Sequence, residues 1–184
     1  SDWSSDVCSS DLAEGLDPYV GVQAGVVRSS LGTPEGEAPL RSVPSVGVTF
    51  GSALGRSLAV EADVMATVGR RLGYQLPPVL SEALVARAMA VVNVPMSRDL
   101  SLLFKAGLGW ERAEARYLLP YVRCTPERPN CAQVVAREHQ WGPALGAALR
   151  WGSGPWSVRV QYDVMPSSRR STDALSMGFY RHFR

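Results

Sequence analysis

Eight charged side chains interrupt segments that otherwise consist mostly of apolar and very small residues, and they are the first candidates for chemistry. They are the acids Glu61, Asp63, Glu111 and Asp163 and the bases Arg87, Lys105, Arg150 and Arg159. Charges enclosed together must pair and form hydrogen bonds, because an unpaired buried charge is costly. Since the four acids balance the four bases, we interpret the set as a charge network that fills the interior. A gated conduit, in which the pairs exchange partners, is the alternative.

The two histidines, His139 and His182, are the other residues that could act in catalysis. The strand order given below places them at opposite ends of the molecule, and neither has a Ser or Asp at a compelling spacing. A nucleophile and its base must lie within hydrogen-bond reach of each other. The sequence therefore predicts no enzyme, no cofactor and no metal site, although an enzyme acting on lipid stays open as a weaker alternative.

Two cysteines, Cys124 and Cys131, lie close together in a polar stretch rich in Pro, Arg and Asn. Two neighbouring cysteines in a polar loop favour a disulfide and an oxidising compartment. A metal site is less favoured because only His139 lies nearby and no second pair of ligands is present.

The elements that must position these residues are β-strands, because apolar residues recur with a period of two. In Trp156–Val164 every even position is apolar, whereas the odd positions hold Ser157, Arg159, Gln161 and Asp163. Such a period puts the two sets on opposite faces of a strand. Eight such strands are predicted: Tyr19–Val27, Ser45–Gly51, Ser57–Val68, Leu84–Val94, Leu100–Glu111, Gln140–Trp151, Trp156–Val164 and a last strand that ends at Phe183. The fourth could also be a helix.

The connections between these strands predict how they are arranged. Those after strands two, four and six are short, whereas those after strands one, three, five and seven are longer, and the third long one spans roughly Arg112–His139. This alternation is typical of an up-and-down transmembrane barrel with tight turns at one end. We therefore predict an all-β fold, an eight-stranded antiparallel transmembrane β-barrel.

The direction of the two strand faces separates a membrane barrel from a soluble one. The non-apolar face is mostly Gly, Ala and Ser, which suit the crowded interior of eight strands better than a surface in water. Four tryptophans flank predicted connections: Trp151 and Trp156 a short turn, and Trp110 and Trp141 the longest loop. With Phe183 they are expected to form aromatic girdles at the membrane interfaces. The alternative is a soluble, lipocalin-like ligand carrier with its apolar face turned inward.

Composition excludes further classes of protein. The net charge is +2 and Lys105 is the only lysine, which argues against a nucleic-acid binder with a concentrated basic face. No apolar run approaches the ~20 residues of a transmembrane helix. The segment Ser1–Leu12 resembles a translated sequencing-library adapter, the alternative being a disordered tail, so the barrel domain is expected over 13–184.

The order of three segments resembles the outer-membrane β-barrel family of OmpA-like and OmpX-like proteins. These segments are Val94–Gly109, Trp156–Asp163 and Ala174–Phe183. The resemblance implies a monomer in the bacterial outer membrane, in contact with its lipid, with a structural or surface-interaction role. It also implies that Phe183 presents the last strand to the barrel assembly machinery, although Arg184 follows it. Several arginines of the predicted loops are either solvated loop charges or contacts to lipopolysaccharide head groups: Arg70, Arg71, Arg112, Arg116, Arg123, Arg128, Arg169 and Arg170.

Overall fold

A computed structural model describes most of the chain, and the described part is built from β-strands. It covers residues 17–29, 32–33, 36–37, 41–68, 80–118, 133–152, 154–166 and 171–183. The eight long strands are β1 (Asp17–Ser29), β2 (Arg41–Ala53), β3 (Leu58–Thr67), β4 (Leu80–Pro95), β5 (Leu100–Leu118), β6 (Gln133–Trp151), β7 (Trp156–Pro166) and β8 (Ser171–His182). Between β1 and β2, Gly32–Thr33 pairs with Gly36–Glu37.

Each long strand pairs antiparallel with its neighbours in the chain, and β1 closes the sheet by pairing with β8 as well as with β2. In this register Val22 faces Val48 of β2 on one side and Phe179 of β8 on the other. The seam continues past β8, where the amide of Phe183 donates to the carbonyl of Pro18 at 2.9 Å. The predicted closed, eight-stranded antiparallel barrel is confirmed.

The two faces of the sheet differ as the alternation of residue types dictates. Along β7, Ser157, Arg159, Gln161 and Asp163 are buried inside the barrel, whereas Val160 and Tyr162 are exposed on its outer surface. Twenty-five large apolar side chains of the described residues are exposed in this way. An apolar surface that encircles the molecule is far larger than a protein in water normally shows.

Three four-residue turns close one end of the barrel, which we call the short-turn end. They are Leu54–Ser57, Met96–Asp99 and 152–155. Gly55 and Gly152 have φ angles of +137° and +125°, a region that residues with a Cβ rarely adopt. Both glycines therefore allow the chain to reverse within the length of the turn.

The opposite end differs from the prediction in two connections. β5 ends at Leu118 and β6 begins at Gln133. The connection between them is therefore 119–132 and not the predicted Arg112–His139. The connection after β7 is 167–170, which is as short as the turns at the other end. In both places backbone pairing continues after the clean alternation of residue types has ended. The fourth segment, which could have been a helix, is the 16-residue strand β4.

The interior also holds more apolar side chains than the residue pattern predicted. Val85, Met89, Ala144 and Met165 form one buried cluster. Val27, Met65 and Ala174 form a second, and Val91, Leu103 and Ala148 a third. No helix among the described residues is long and apolar enough to cross a membrane.

Candidate functional site

Six of the eight predicted charges meet in the barrel interior, where five ion pairs connect them. They come from four strands: Glu61 and Asp63 of β3, Arg87 of β4, Lys105 of β5, and Arg159 and Asp163 of β7. Each of the six side chains is almost completely removed from solvent. Three carboxylates thus meet three cations, which leaves this group, the lumen network, without net charge.

Glu61 is the acceptor at one end of the network. Its Oε1 accepts from Arg159 Nη1 at 2.5 Å and from the Tyr19 hydroxyl at 2.6 Å, and its Oε2 lies 3.2 Å from Lys105 Nζ. Arg159 therefore pairs with Glu61, whereas Asp163, on the same strand as Arg159, pairs with Arg87 and Lys105. These charge-assisted bonds are stronger than bonds between neutral groups.

Arg87 joins the two remaining carboxylates through different edges of its guanidinium. Its Nε and Nη2 donate to Asp63 Oδ1 at 2.9 and 2.7 Å, and its Nη1 lies 3.1 Å from Asp163 Oδ2. Asp63 and Arg87 are register partners on adjacent strands. Two nitrogens of the planar guanidinium thus reach Asp63 while a third reaches Asp163, which the single nitrogen of an ammonium group cannot do.

A glycine leaves the space in which Lys105 can reach β7. Lys105, Gly146 and Asp163 are successive register partners across β5, β6 and β7. A Cβ at residue 146 would overlap the Asp163 carboxylate. Over this gap Lys105 Nζ lies 3.7 Å from Asp163 Oδ1 and donates to Gln161 Oε1 at 2.7 Å.

Two tyrosines pack against Arg159, and each has a glycine beside its ring. Tyr19 is the register partner of Gly51, and Tyr180 of Gly21. A Cβ at either glycine would overlap the neighbouring ring. The guanidinium carbon of Arg159 lies 4.1 Å from the Tyr180 ring centre and 5.7 Å from that of Tyr19. Cation–π contacts and Glu61 together hold Arg159 in position.

Glu111 and Arg150, the other two predicted charges, lie apart from the lumen network. Glu111 accepts from Gln140 at 2.5 Å and from Thr172 at 2.6 Å. Arg150 lies toward the short-turn end, beside its register partner Arg159, and donates to Ser101 at 3.3 Å. The eight charges therefore do not form one cluster.

The sequence missed one pair of residues with catalytic potential. Ser157 Oγ lies 3.1 Å from His182 Nε2, although 25 residues separate the two along the chain. Only the register of β7 against β8 brings them together, so no spacing rule could have found them. Ser157 is 4% exposed, so this pair is largely enclosed within the barrel. His139, in contrast, stacks on Trp110 with ring centres 6.0 Å apart.

Within the part of the chain that the structure describes, no group of three or more His, Cys, Asp and Glu residues has the arrangement of a metal site.

Comparisons with known proteins give a fold and no close relative. No family model matches the chain, and no curated protein matches it. Solved structures match almost its whole length, and three of them illustrate the range of identity. Ail, the attachment invasion locus protein of Yersinia pestis, has a TM-score of 0.59 and 13% identity over 91% of this chain and 99% of its own. Neisserial surface protein A has a TM-score of 0.60 and 17% identity, over 92% of this chain and 100% of its own. OprG, an outer membrane protein of Pseudomonas aeruginosa, has a TM-score of 0.57 and 15% identity, over 92% of this chain and 96% of its own.

The fold is that of small outer-membrane β-barrels. At the level of the fold, this agrees with the resemblance to OmpA-like and OmpX-like proteins noted from the sequence.

In the outer-membrane barrel fold, aromatic residues gather at two levels, and the predicted girdle residues can be compared with these. Trp151, Trp156 and Phe183 lie exposed at the short-turn end, and Trp141 is 77% exposed nearer the other end. Ten residues separate Trp141 from Trp151, or about 25 Å along the axis for strands tilted by about 40°. This distance matches the apolar band of such barrels, which is about 25 Å tall.

Trp110 differs from its predicted position beside a loop. It faces Trp141 as a register partner, with ring centres 6.4 Å apart, and both lie within their strands, eight residues from the ends at Leu118 and Gln133. Trp110 is also only partly exposed, because Trp141 and His139 cover its ring. The β5–β6 hairpin therefore continues well beyond the aromatic level of the barrel.

Several predictions for this outer-membrane barrel fold lie outside the described residues. These are the Cys124–Cys131 disulfide, the Ser1–Leu12 segment and most of the loop arginines. Arg112 is described and is exposed on β5.

Proposed function

We propose that this chain is a bacterial outer-membrane β-barrel with a structural or surface-interaction role, whose lumen network closes the interior. The observation that carries the proposal is the contrast between the two faces. Arg159 is 2% exposed inside the barrel, whereas Val160, the next residue, is 47% exposed outside it. Charges paired inside and apolar groups outside suit a barrel in lipid and not a lipocalin-like carrier, whose apolar face would line its cavity.

The closed lumen follows from the size of the barrel and from its contents. Eight strands leave only enough room for side chains, and the lumen network crosses from β3 and β4 to β7. A conduit would require these partners to separate in a space with little water, at a high cost in free energy. The proposal therefore favours a plug over a gated pore.

The surface role is supported by the neighbours in fold and by the loops. One neighbour is named as an attachment invasion locus protein, and a structure of it contains the heparin analogue sucrose octasulfate. In this chain the loop arginines would contact the anionic head groups of outer-membrane lipid. We further propose a monomer that is recognised by the assembly machinery through β8 and Phe183 and that has no catalytic activity. The enclosed Ser157 supports the last point.

Planar-bilayer recording tests the closed lumen, and gel mobility tests the membrane fold. The purified protein should require detergent for solubility and should migrate differently on a gel with and without boiling. In planar bilayers it should give no large, steady single-channel conductance. Such a conductance would refute the plug and favour the conduit, whereas full solubility without detergent would refute the membrane barrel itself.

A further inference from the structure

A cavity of about 200 Å³ opens at the short-turn end, below the lumen network. Its polar lining residues include Asp17, Arg56, Asn93, Arg150, Arg159 and His182. In liquid water a molecule occupies about 30 Å³, so the cavity has room for roughly six. This is enough for a small ion with part of its hydration shell.

The charges around this short-turn cavity do not balance. Among the described residues, three guanidinium groups line the cavity, whereas Asp17 is the one carboxylate that does and Glu61 reaches it only through Arg159. The charge of Arg159 is already neutralised by Glu61, and the negative charge of Asp17 offsets the positive charge of Arg56. The charge of Arg150 is left without an acid.

Arg150 also has few hydrogen bonds for a partly buried guanidinium. Its Nη2 donates to Ser101, but its Nε has no acceptor among the described residues, and no carboxylate of those residues forms an ion pair with it. The neighbouring Nε of Arg159, in a side chain that is 2% exposed, also lacks an acceptor. Two unused N–H donors thus occur on adjacent cationic residues that line one cavity.

We propose that the short-turn cavity is a binding site for a small oxyanion, such as phosphate or a carboxylate, with Arg150 as its principal ligand. The anion accepts hydrogen bonds from Arg150 and supplies the charge that the wall lacks. Guanidinium groups fit this role because their planar donors match oxyanion geometry. The cavity is too small for a nucleotide or a glycan. The site shares Arg159 with the lumen network, but its principal ligand Arg150 forms no ion pair in that network, so the site would exist whether or not the network closes the barrel.

The test is to titrate the full chain, in lipid nanodiscs, with inorganic phosphate. NMR monitors the backbone amides of Asn93, Arg150 and His182 during the titration. Sodium chloride at matched ionic strength controls for screening, and acetate distinguishes a carboxylate from a phosphate preference. We expect saturable shifts with a Kd on the order of millimolar, as for one or two charge-assisted bonds in a wet site. Arg150→Gln should weaken binding about tenfold or more, and Arg150→Lys less.

Arg181→Gln is the matched control. Arg181 lies at the same end but on the outer surface, between the rings of Trp156 and Phe183, and its loss should leave binding unchanged. Phosphate should also raise the thermal unfolding midpoint of the unsubstituted protein, which gives a readout that does not depend on any variant folding. Shifts no larger than those with chloride, or equal binding by Arg150→Gln and the unsubstituted chain, would overturn the proposal.

Discussion

Arg159 and Glu61 should be coupled in stability, so that the variant lacking both loses less stability than the two single variants lose in sum. Arg159→Met keeps the apolar length of the side chain and leaves three carboxylates facing two cations in the lumen network. Glu61 then keeps the Tyr19 hydroxyl at 2.6 Å and Lys105 at 3.2 Å but loses its guanidinium partner. Glu61→Gln in the same chain restores neutrality and preserves an acceptor for Tyr19.

The structure allows the size of this effect to be estimated. Breaking one partner of a buried pair costs about 3–5 kcal/mol; we expect about 3 kcal/mol for Arg159→Met because two donors to Glu61 remain. For contacting residues, coupling energies are about 0.5–3 kcal/mol, and the near-complete removal of Arg159 and Glu61 from solvent places this pair near the upper end. The double variant should therefore recover about 1–3 kcal/mol of the summed single losses.

A second double variant, Arg159→Met with Asp163→Asn, serves as the matched control. It restores neutrality equally well, but Asp163 forms ion pairs with Arg87 and Lys105 and not with Arg159. Its coupling energy should be smaller, below about 1 kcal/mol.

The assay is urea unfolding in lipid vesicles, followed by tryptophan fluorescence and checked by migration without boiling. The free energies of unfolding of the single and double variants then give the two coupling energies. Additive losses in the Arg159–Glu61 cycle, or equal coupling in both cycles, would show that the lumen network does not act as paired charges.

Three further predictions concern other parts of the chain. Val160→Arg places a charge on the outer face near the middle of the apolar band and should cost about 2–4 kcal/mol of unfolding free energy in vesicles; an unchanged stability would contradict the orientation of β7. Gly51→Val should overlap the ring of Tyr19 and cost about 1–3 kcal/mol, whereas the same change with Tyr19→Ala should recover part of that loss, and no recovery would mean that the ring is not the obstacle. Cys124 and Cys131 should form a disulfide worth at most about 2–3 kcal/mol, so the folded barrel should survive reduction; two free thiols in exported, unreduced protein would exclude the bond.

The barrel could be predicted because the residue pattern that specifies each strand lies within that strand's own segment of sequence. Each strand carries its own alternation, as in Trp156–Val164, and eight such segments with tight turns leave few ways to satisfy backbone hydrogen bonds other than closure. The strand ends were less predictable. In β5, Ala113 and Glu114 are both buried, so buried and exposed residues no longer alternate there. The backbone pairing nevertheless continues to Leu118.

The partners within the interior could not be predicted because they depend on register and on curvature. Arg159 and Glu61 are 98 residues apart in the chain, and nothing near either residue indicates the other. The same holds for Ser157 and His182, which meet only through the pairing of β7 with β8. The sequence could predict which charges point inward, but not that Glu111 and Arg150 would lie outside the lumen network.

The two kinds of ion pair in the interior imply an order of assembly. Asp63 and Arg87 are register partners on adjacent strands, so their bond can form as soon as β3 and β4 pair, in a sheet that is still open. Glu61 and Arg159 lie on β3 and β7, which are not neighbours, and can meet only when the sheet has curled around the lumen. Until then Arg159 lacks the carboxylate of Glu61, and an unpaired charge in an apolar environment is costly. Closure of the seam and neutralisation of Arg159 should therefore be one cooperative event, the last in the folding of the barrel.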